Sequence, residues 1–264
     1  MRKLTMLVLV PSYAAFLTGC GQGTTNPVVD MAASPYAVPS PGAEVSGDVI
    51  TASLDRIEST HMELSMTAGT TSDMVKIDVE ADSRTGSRTS SQAAWSIAGH
   101  GIGAKTIEVR LPGRGDAYLN LADYGSEGTW VRSADVEGLG LRDGFVYPLG
   151  LVEDIAEGVE SAVYEDDDPW KAAPVGPRYR VKLPSSALGE SFVGVAEMGK
   201  AELPEFLEVY FWTDDEGRPV TLVFDPDDEN AKFSMRIDFS EHDKDFVVET
   251  PPAGAVEDQG TGKS

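Results

Sequence analysis

From His61 onward, segment after segment of this chain alternates apolar and polar residues with a period of two. In "HMELSMTA" the apolar positions are Met62, Leu64, Met66 and Ala68; in "MVKIDVEA" they are Val75, Ile77, Val79 and Ala81, with Lys76, Asp78 and Glu80 between them. Only a β-strand sends every second side chain to one face, so each such segment predicts a half-buried strand. "AAWSIAG" (Ala93, Trp95, Ile97), "TIEVRL" (Ile107, Val109, Leu111), "DAYLNL" (Ala117, Leu119, Leu121) and "TWVRS" continue the series. "RYRVKL" sets Tyr179, Val181 and Leu183 against Arg178, Arg180 and Lys182, and "VTLVF" and "FSMRIDF" (Phe233, Met235, Ile237, Phe239) follow. "FLEVYFW" is apolar on both faces and is expected to be covered on both. Short loops such as "DDEGRP" separate these segments, which predicts about ten strands in one antiparallel sheet with one wet face and one dry face.

Two segments have helical spacing. Asp48 to Glu58 places Ile50, Leu54 and Ile57 on one face, with Asp48 as its cap. Phe145 to Val163 repeats Leu149, Val152, Ile155 or Ala156, Val159 and Val163 at threes and fours, and this stripe must be buried against the dry face. Ser185 to Leu203 reads equally as a helix or a long flexible loop. Two helices are few for so wide a sheet. Either the sheet closes tightly on itself, or it leaves an apolar cavity.

The N-terminus has a different character. Met1-Arg2-Lys3 precedes an apolar run from Leu4 to Phe16, broken by Pro11 and too short for a bilayer core of ~30 Å. Residues 1–19 therefore read as a secretory signal. Leu17-Thr18-Gly19-Cys20 resembles a bacterial lipobox, and Cys20 is the only cysteine in 264 residues. That resemblance implies cleavage before Cys20, a diacylglycerol group with palmitate-type chains in thioether linkage to its sulfur, and attachment to the outer face of the cytoplasmic membrane. Two acyl chains hold where one is marginal. The alternative is an ordinary secretory signal with an incidental cysteine. Residues 20–47 have no periodicity and read as a linker reaching roughly 25–30 Å. Residues 48–250 form the domain, and the tail 251–264 is expected to be disordered.

The formal net charge is −23. Such a surface repels nucleic acid and anionic lipid headgroups. No nucleophile elbow, P-loop, dinucleotide loop, H-E-x-x-H or C-x-x-C occurs, so no enzyme and no cofactor is expected. His61, His100 and His242 read as isolated surface histidines. The acidic runs "EDDDP" (Glu165 to Pro169) and "DPDDEN" (Asp225 to Asn230) lack calcium-loop spacing and read as solvated turns, with a weak calcium site as the alternative, and no metal ligand is assigned. Trp95, Trp130, Trp170 and Trp212 are either core or pocket lining. Met62, Met66, Met74 and Met235 either fill gaps or accommodate variable acyl chains.

The order of these features resembles the LolA/LolB-like fold, within it the LppX/LprG-type lipoproteins of actinobacteria. The lipobox, the helix at "VITASLDRI", "AYLNL…EGTWVRS" and "LEVYFWTDDEGRPVTLVF" carry the resemblance over about residues 48–250. It implies an α+β fold: a large curved antiparallel sheet, a half-barrel of ten to eleven strands, with helices packed on its concave face. It also implies a lipid or glycolipid ligand whose acyl chains lie between the two, for carriage or presentation. The expected lining is Leu64, Met66, Ile77, Val79, Trp95, Ile97, Val109, Leu119, Leu149 and Val152. The chain departs from the family in its acidity and its short middle helical region, which implies a shallower pocket or none. The competing expectation is a ligand-free interaction or sensor-type lipoprotein that docks a membrane-protein partner through its acidic outer face.

Overall fold

The computed structural model describes residues 39–69, 74–85, 89–99, 102–113, 117–120, 122–124, 130–133, 146–165, 176–188, 203–224 and 233–258. Cys20, Leu121, His100, Trp170 and the acidic runs Asp166–Pro169 and Asp225–Asn230 lie outside them, as do the signal and most of the linker.

The alternating segments are strands: β2 (Ser59–Ala68), β3 (Val75–Arg84), β4 (Ser90–Gly99), β5 (Ile102–Leu111), β6 (Ala117–Asn120), β7 (Trp130–Ser133), β9 (Arg178–Pro184), β10 (Phe206–Thr213), β11 (Pro219–Phe224) and β12 (Phe233–Ser240). Three more were not expected. They are β1 (Glu44–Val45), β8 (Ser161–Glu165) and β13 (Val256–Asp258). All thirteen form one sheet in the order β1-β8-β9-β10-β11-β12-β2-β3-β4-β5-β6-β7-β13. The described strand pairs are antiparallel except β13 with β7, and the edges β1 and β13 do not meet.

The extra strands correct three boundaries. The linker ends earlier than residue 47, because Glu44 and Val45 pair with Val163 and Ala162. The second helix, expected to run from Phe145 to Val163, is α2 (Pro148–Glu157) and stops at Gly158, so that Val163 belongs to β8. Val159 and Val163 keep helical spacing by coincidence, since the strand alternates at its own period. The tail beyond Pro251 is not wholly loose: Val256–Asp258 pairs with Trp130–Arg132. The first helix is also shorter than expected, α1 (Val49–Leu54). Asp48 makes no side-chain cap bond; its carboxylate instead accepts from Ser46 Oγ at 3.0 Å.

The inner face is defined by burial. Met62, Leu64, Met66 and Ala68 of β2, Val75 to Ala81 of β3 at alternate positions, and Phe233 to Phe239 of β12 join one core cluster. Ile50 and Leu54 of α1 and Leu149, Val152 and Ile155 of α2 belong to the same cluster. Both helices therefore lie on that face, α1 against β11 and α2 against β3. At its other end α2 meets a 3-10 turn, Ser185–Leu188. This turn is the described part of the segment that reads as a helix or a loop.

β10 follows the expectation of double cover only at its end. Phe206 and Glu208 are exposed, whereas Phe211, Trp212 and Thr213 are all buried.

Candidate functional site

The strand registers arrange the inner face in transverse rows. Ile237, Leu64, Val79, Trp95 and Ile107 form one row across β12, β2, β3, β4 and β5. Met235, Met66, Ile77, Ile97 and Lys105 form the next. On the other side, Phe239, Met62, Ala81, Ala93, Val109 and Leu119 make a third row, reaching β6. The register thus brings eight of the ten expected lining residues into three adjacent rows. Leu149 and Val152 face them from α2 within the same cluster. Nine of the ten are at most 3 % exposed, while Ile97 is half-buried against the cluster. Sequence periodicity places Ile107 and Met235 on the apolar face but gives no row partners, so neither was among the expected lining residues, and Lys105 escaped it altogether.

Beyond α1, toward β8–β11, the same face is aromatic. Tyr164 and Tyr179 meet edge to face at 5.8 Å between ring centres, and Tyr179 lies 6.4 Å from Phe211. Burial raises the Tyr179 phenol above its ordinary range.

α2 runs between fixed points. Tyr147, just before its first turn, has its hydroxyl 3.4 Å from Glu153 Oε1 and 3.5 Å from Arg84 O. Burial and the neighbouring Glu153 charge push this phenol up, and burial pushes the Glu153 carboxyl up. At the other end, Gly158 is packed against Ala187.

The outer face is polar, and among the described residues it holds open depressions. One of about 260 Å³ is bordered by His61, Glu80, Asp82, Gln92, Glu108 and Arg110. Another of about 390 Å³ lies among Glu63, Asp78, Glu80, Arg236 and Asp238. Glu63 and Glu80 stand directly opposite one another, in a row with Asp238 and Glu108. Like charges so placed are destabilising neighbours.

Several polar residues differ from expectation. His61 and His242 are not isolated. His61 Nδ1 lies 2.9 Å from Asp82 Oδ1, and His242 Nδ1 lies 3.1 Å from Thr60 Oγ1. Thr60 is itself buried and also bonds Ser240 O, so this contact ties β2 to the chain after β12. Arg178, expected to be solvated, is buried; Glu165 reaches it at 2.9 Å and Arg180 at 2.7 Å. Trp212 and Trp130 face outward but are buried, the latter under the Arg110 guanidinium at 4.6 Å. Among the described residues no group of three or more side chains is placed to hold a metal ion. No described helix is long and apolar enough to cross a membrane.

The sequence matches no protein-family model and none of the curated proteins. Solved structures do resemble the fold. LprF from Mycobacterium bovis has a TM-score of 0.50 at 14 % identity, over 81 % of this chain and 99 % of that one. The lipoprotein LppX of Mycobacterium tuberculosis has a TM-score of 0.44 at 13 % identity, over 77 % and 97 %. The fold is therefore an open α+β half-barrel like that of LprF, with thirteen strands among the described residues rather than ten or eleven.

Proposed function

We propose that this chain, built on the half-barrel it shares with LprF, is an envelope lipoprotein that binds acyl chains of a lipid, glycolipid or lipoprotein for carriage or presentation. Its anchor is a diacylated Cys20, which places the domain on the outer face of the cytoplasmic membrane. It is a binding protein and not an enzyme. The observation that carries this reading is the composition of the inner rows. Met66 and Met235 lie side by side, flanked by Leu64, Ile77 and Ile237. Thioether side chains on a continuous apolar strip deform around hydrocarbon of varied length. Burying some 400 Å² of acyl surface is worth roughly 10 kcal/mol before association costs.

Native mass spectrometry of the full-length protein purified from its own host tests this. The expected spectrum carries a non-covalent lipid in addition to the acylated cysteine. A bare protein mass, with no saturable uptake of a fluorescent acyl probe, would sink the reading. Cys20→Ser is expected to move the protein from the membrane pellet to the soluble fraction. Retention in the pellet would remove the anchor.

A second reading, docking of a membrane-protein partner, draws on the outer row in which Glu63 opposes Glu80. Cross-linking in intact cells separates the two. A stable protein adduct that Glu63→Gln/Glu80→Gln abolishes, with no bound lipid, favours docking.

A further inference from the structure

Burial of the inner face fades toward both ends of β5, at Leu111 beside Ser91 and, more broadly, at the corner where β4 and β5 join. Along β4, Ala93 and Trp95 are buried, but Ile97 is half-buried. Along β5, Val109 and Ile107 are buried, but Lys105 is half-buried. In the same row on β2 and β3, Met66 and Ile77 remain fully covered. The corner therefore belongs to the ends of β4 and β5, farthest from α2's contact beside Arg84.

Lys105 is on the inner face, directly opposite Ile97 and two residues before Ile107. It is a cation at the rim of an apolar lining, in a chain whose net charge is −23. Its position is constructed. Lys105 Nζ donates to Asp123 O at 3.0 Å, and the Asp123 carboxylate takes the Thr106 amide at 2.7 Å. The 3-10 turn Ala122–Tyr124 is thus fastened to β5 at the adjacent residues Lys105 and Thr106. Half-buried and opposite Ile97, Lys105 stands where apolar lining meets water, a place in which lysine commonly lays its stem on apolar surface and keeps its ammonium wet.

We propose that this corner is the headgroup end of the acyl site, and that Lys105 reads an anionic head while the chain runs inward past Ile97 and Trp95 toward Leu64. This rests on the acyl-binding reading above. From β5 to β2 the path crosses three strand spacings, roughly 14 Å. An ammonium recognises a carboxylate or a phosphate oxygen by a charge-assisted hydrogen bond. The net acidic surface disfavours such a head, so a cation at the border of the apolar lining favours keeping the head of an amphiphile at this corner. The shared chemistry is a singly acidic head on an acyl chain, whether a fatty acid or a phospholipid.

Trp95 sits one row inward of Ile97 and reports on occupancy. The experiment titrates the full-length protein with bromine-labelled stearate, its methyl ester, and bromine-labelled phosphatidylglycerol and phosphatidylcholine, following quenching of tryptophan fluorescence. The acid is expected to bind about tenfold tighter than the ester. Lys105→Gln is expected to bring the acid to the ester's level and leave the ester unchanged, while Lys105→Arg keeps the preference. Preference for phosphatidylglycerol over phosphatidylcholine, without preference for the free acid, assigns the head to a phospholipid and supports the same lysine. Trp95→Phe is expected to remove most of the quenching. Equal binding of acidic and neutral probes by the native protein overturns the proposal. So does a preference that survives Lys105→Gln, or quenching that survives Trp95→Phe and is lost in Trp212→Phe. These results leave acyl binding standing, whereas failure to take up any probe overturns acyl binding and this proposal together.

Discussion

Gly158 has no room for a side chain. It closes α2 at φ −85°, a conformation open to any residue, so the constraint is space and not backbone. A Cβ there would overlap the Cβ of Ala187 in the 3-10 turn that packs on the helix end. Gly158→Ala is therefore expected to cost about 1–3 kcal/mol, the usual penalty for overpacking, read as a lowered urea midpoint. Ala187→Gly in the same chain should recover part of it. Asp214 and His242 set a pH dependence near the β10–β11 turn. Burial alone would raise the Asp214 carboxyl, but the amide and guanidinium of Arg218 and the amide of Glu216 bond it and hold it below its ordinary value. Burial, aided by the Arg218 charge, lowers the His242 imidazole from 6.5. Both groups bind protons more readily when the chain unfolds, so both contribute stability that disappears on acidification. The His242 part is present above its unfolded pKa and is lost as pH falls below about 6.5. The Asp214 part persists until pH falls below about 4. Urea midpoints measured from pH 7 to 3 should decline in two stages. His242→Gln should flatten the first and Asp214→Asn the second; an unchanged profile in either variant would exclude that group.

The chain beyond β12 acts as an element in its own right. Glu241 and Asp243 turn it through positive φ values of 51° and 58°. Asp243 then receives the Glu58 amide at 2.6 Å, and Ser59 Oγ donates to Lys244 O at 2.8 Å. Arg84 reaches Asp245 at 3.4 Å and lies over Phe246; Arg110 reaches Glu249 O at 3.3 Å and covers Trp130. The strap ends by pairing in parallel with β7, so it covers an edge that would otherwise present unpaired amides. Deleting residues 251–264 is expected to lower the melting temperature and to produce concentration-dependent association, visible by light scattering. A truncated chain that stays monomeric with unchanged melting would show that β13 protects nothing. This element also marks the limit of what sequence patterns reveal. The ten expected strands were legible because most of them carry their own alternation, and the expected lining residues inherited that legibility. β1 and β13 are two and three residues long and owe their existence to distant partners, Val163 and Trp130, so no local signal announces them. Lys105 and Arg178 were missed for the same reason: their surroundings follow from register and ion pairing across strands, not from the residues beside them.

At the scale of the molecule, two meanders share one sheet. β2 to β7 lie side by side in chain order, as do β8 to β12, and the pairing of β12 with β2 joins them. The helices bind the halves further, since α1 precedes the first meander yet packs on β11, and α2 links β3 to the turn after β9. Among the described residues, a helix from outside each meander packs on its inner face, α1 on β11 and α2 on β3. The sheet should therefore unfold as one unit, and slowly formed pairings between distant residues should make its folding slow. Ile237 tests this at the junction, because it is fully buried between Leu222 of β11 and Leu64 of β2. Ile237→Ala is expected to cost about 2–5 kcal/mol. If the sheet is one cooperative unit, the most protected amides of β3–β4 and of β9–β10 lose that same free energy in hydrogen exchange. Two independent halves would instead show the loss in the β11–β12 meander and little in β3–β4. The same coupling bears on ligand binding, for an acyl chain held against β2–β5 would then protect amides as far away as β9, by the amount its affinity and concentration dictate.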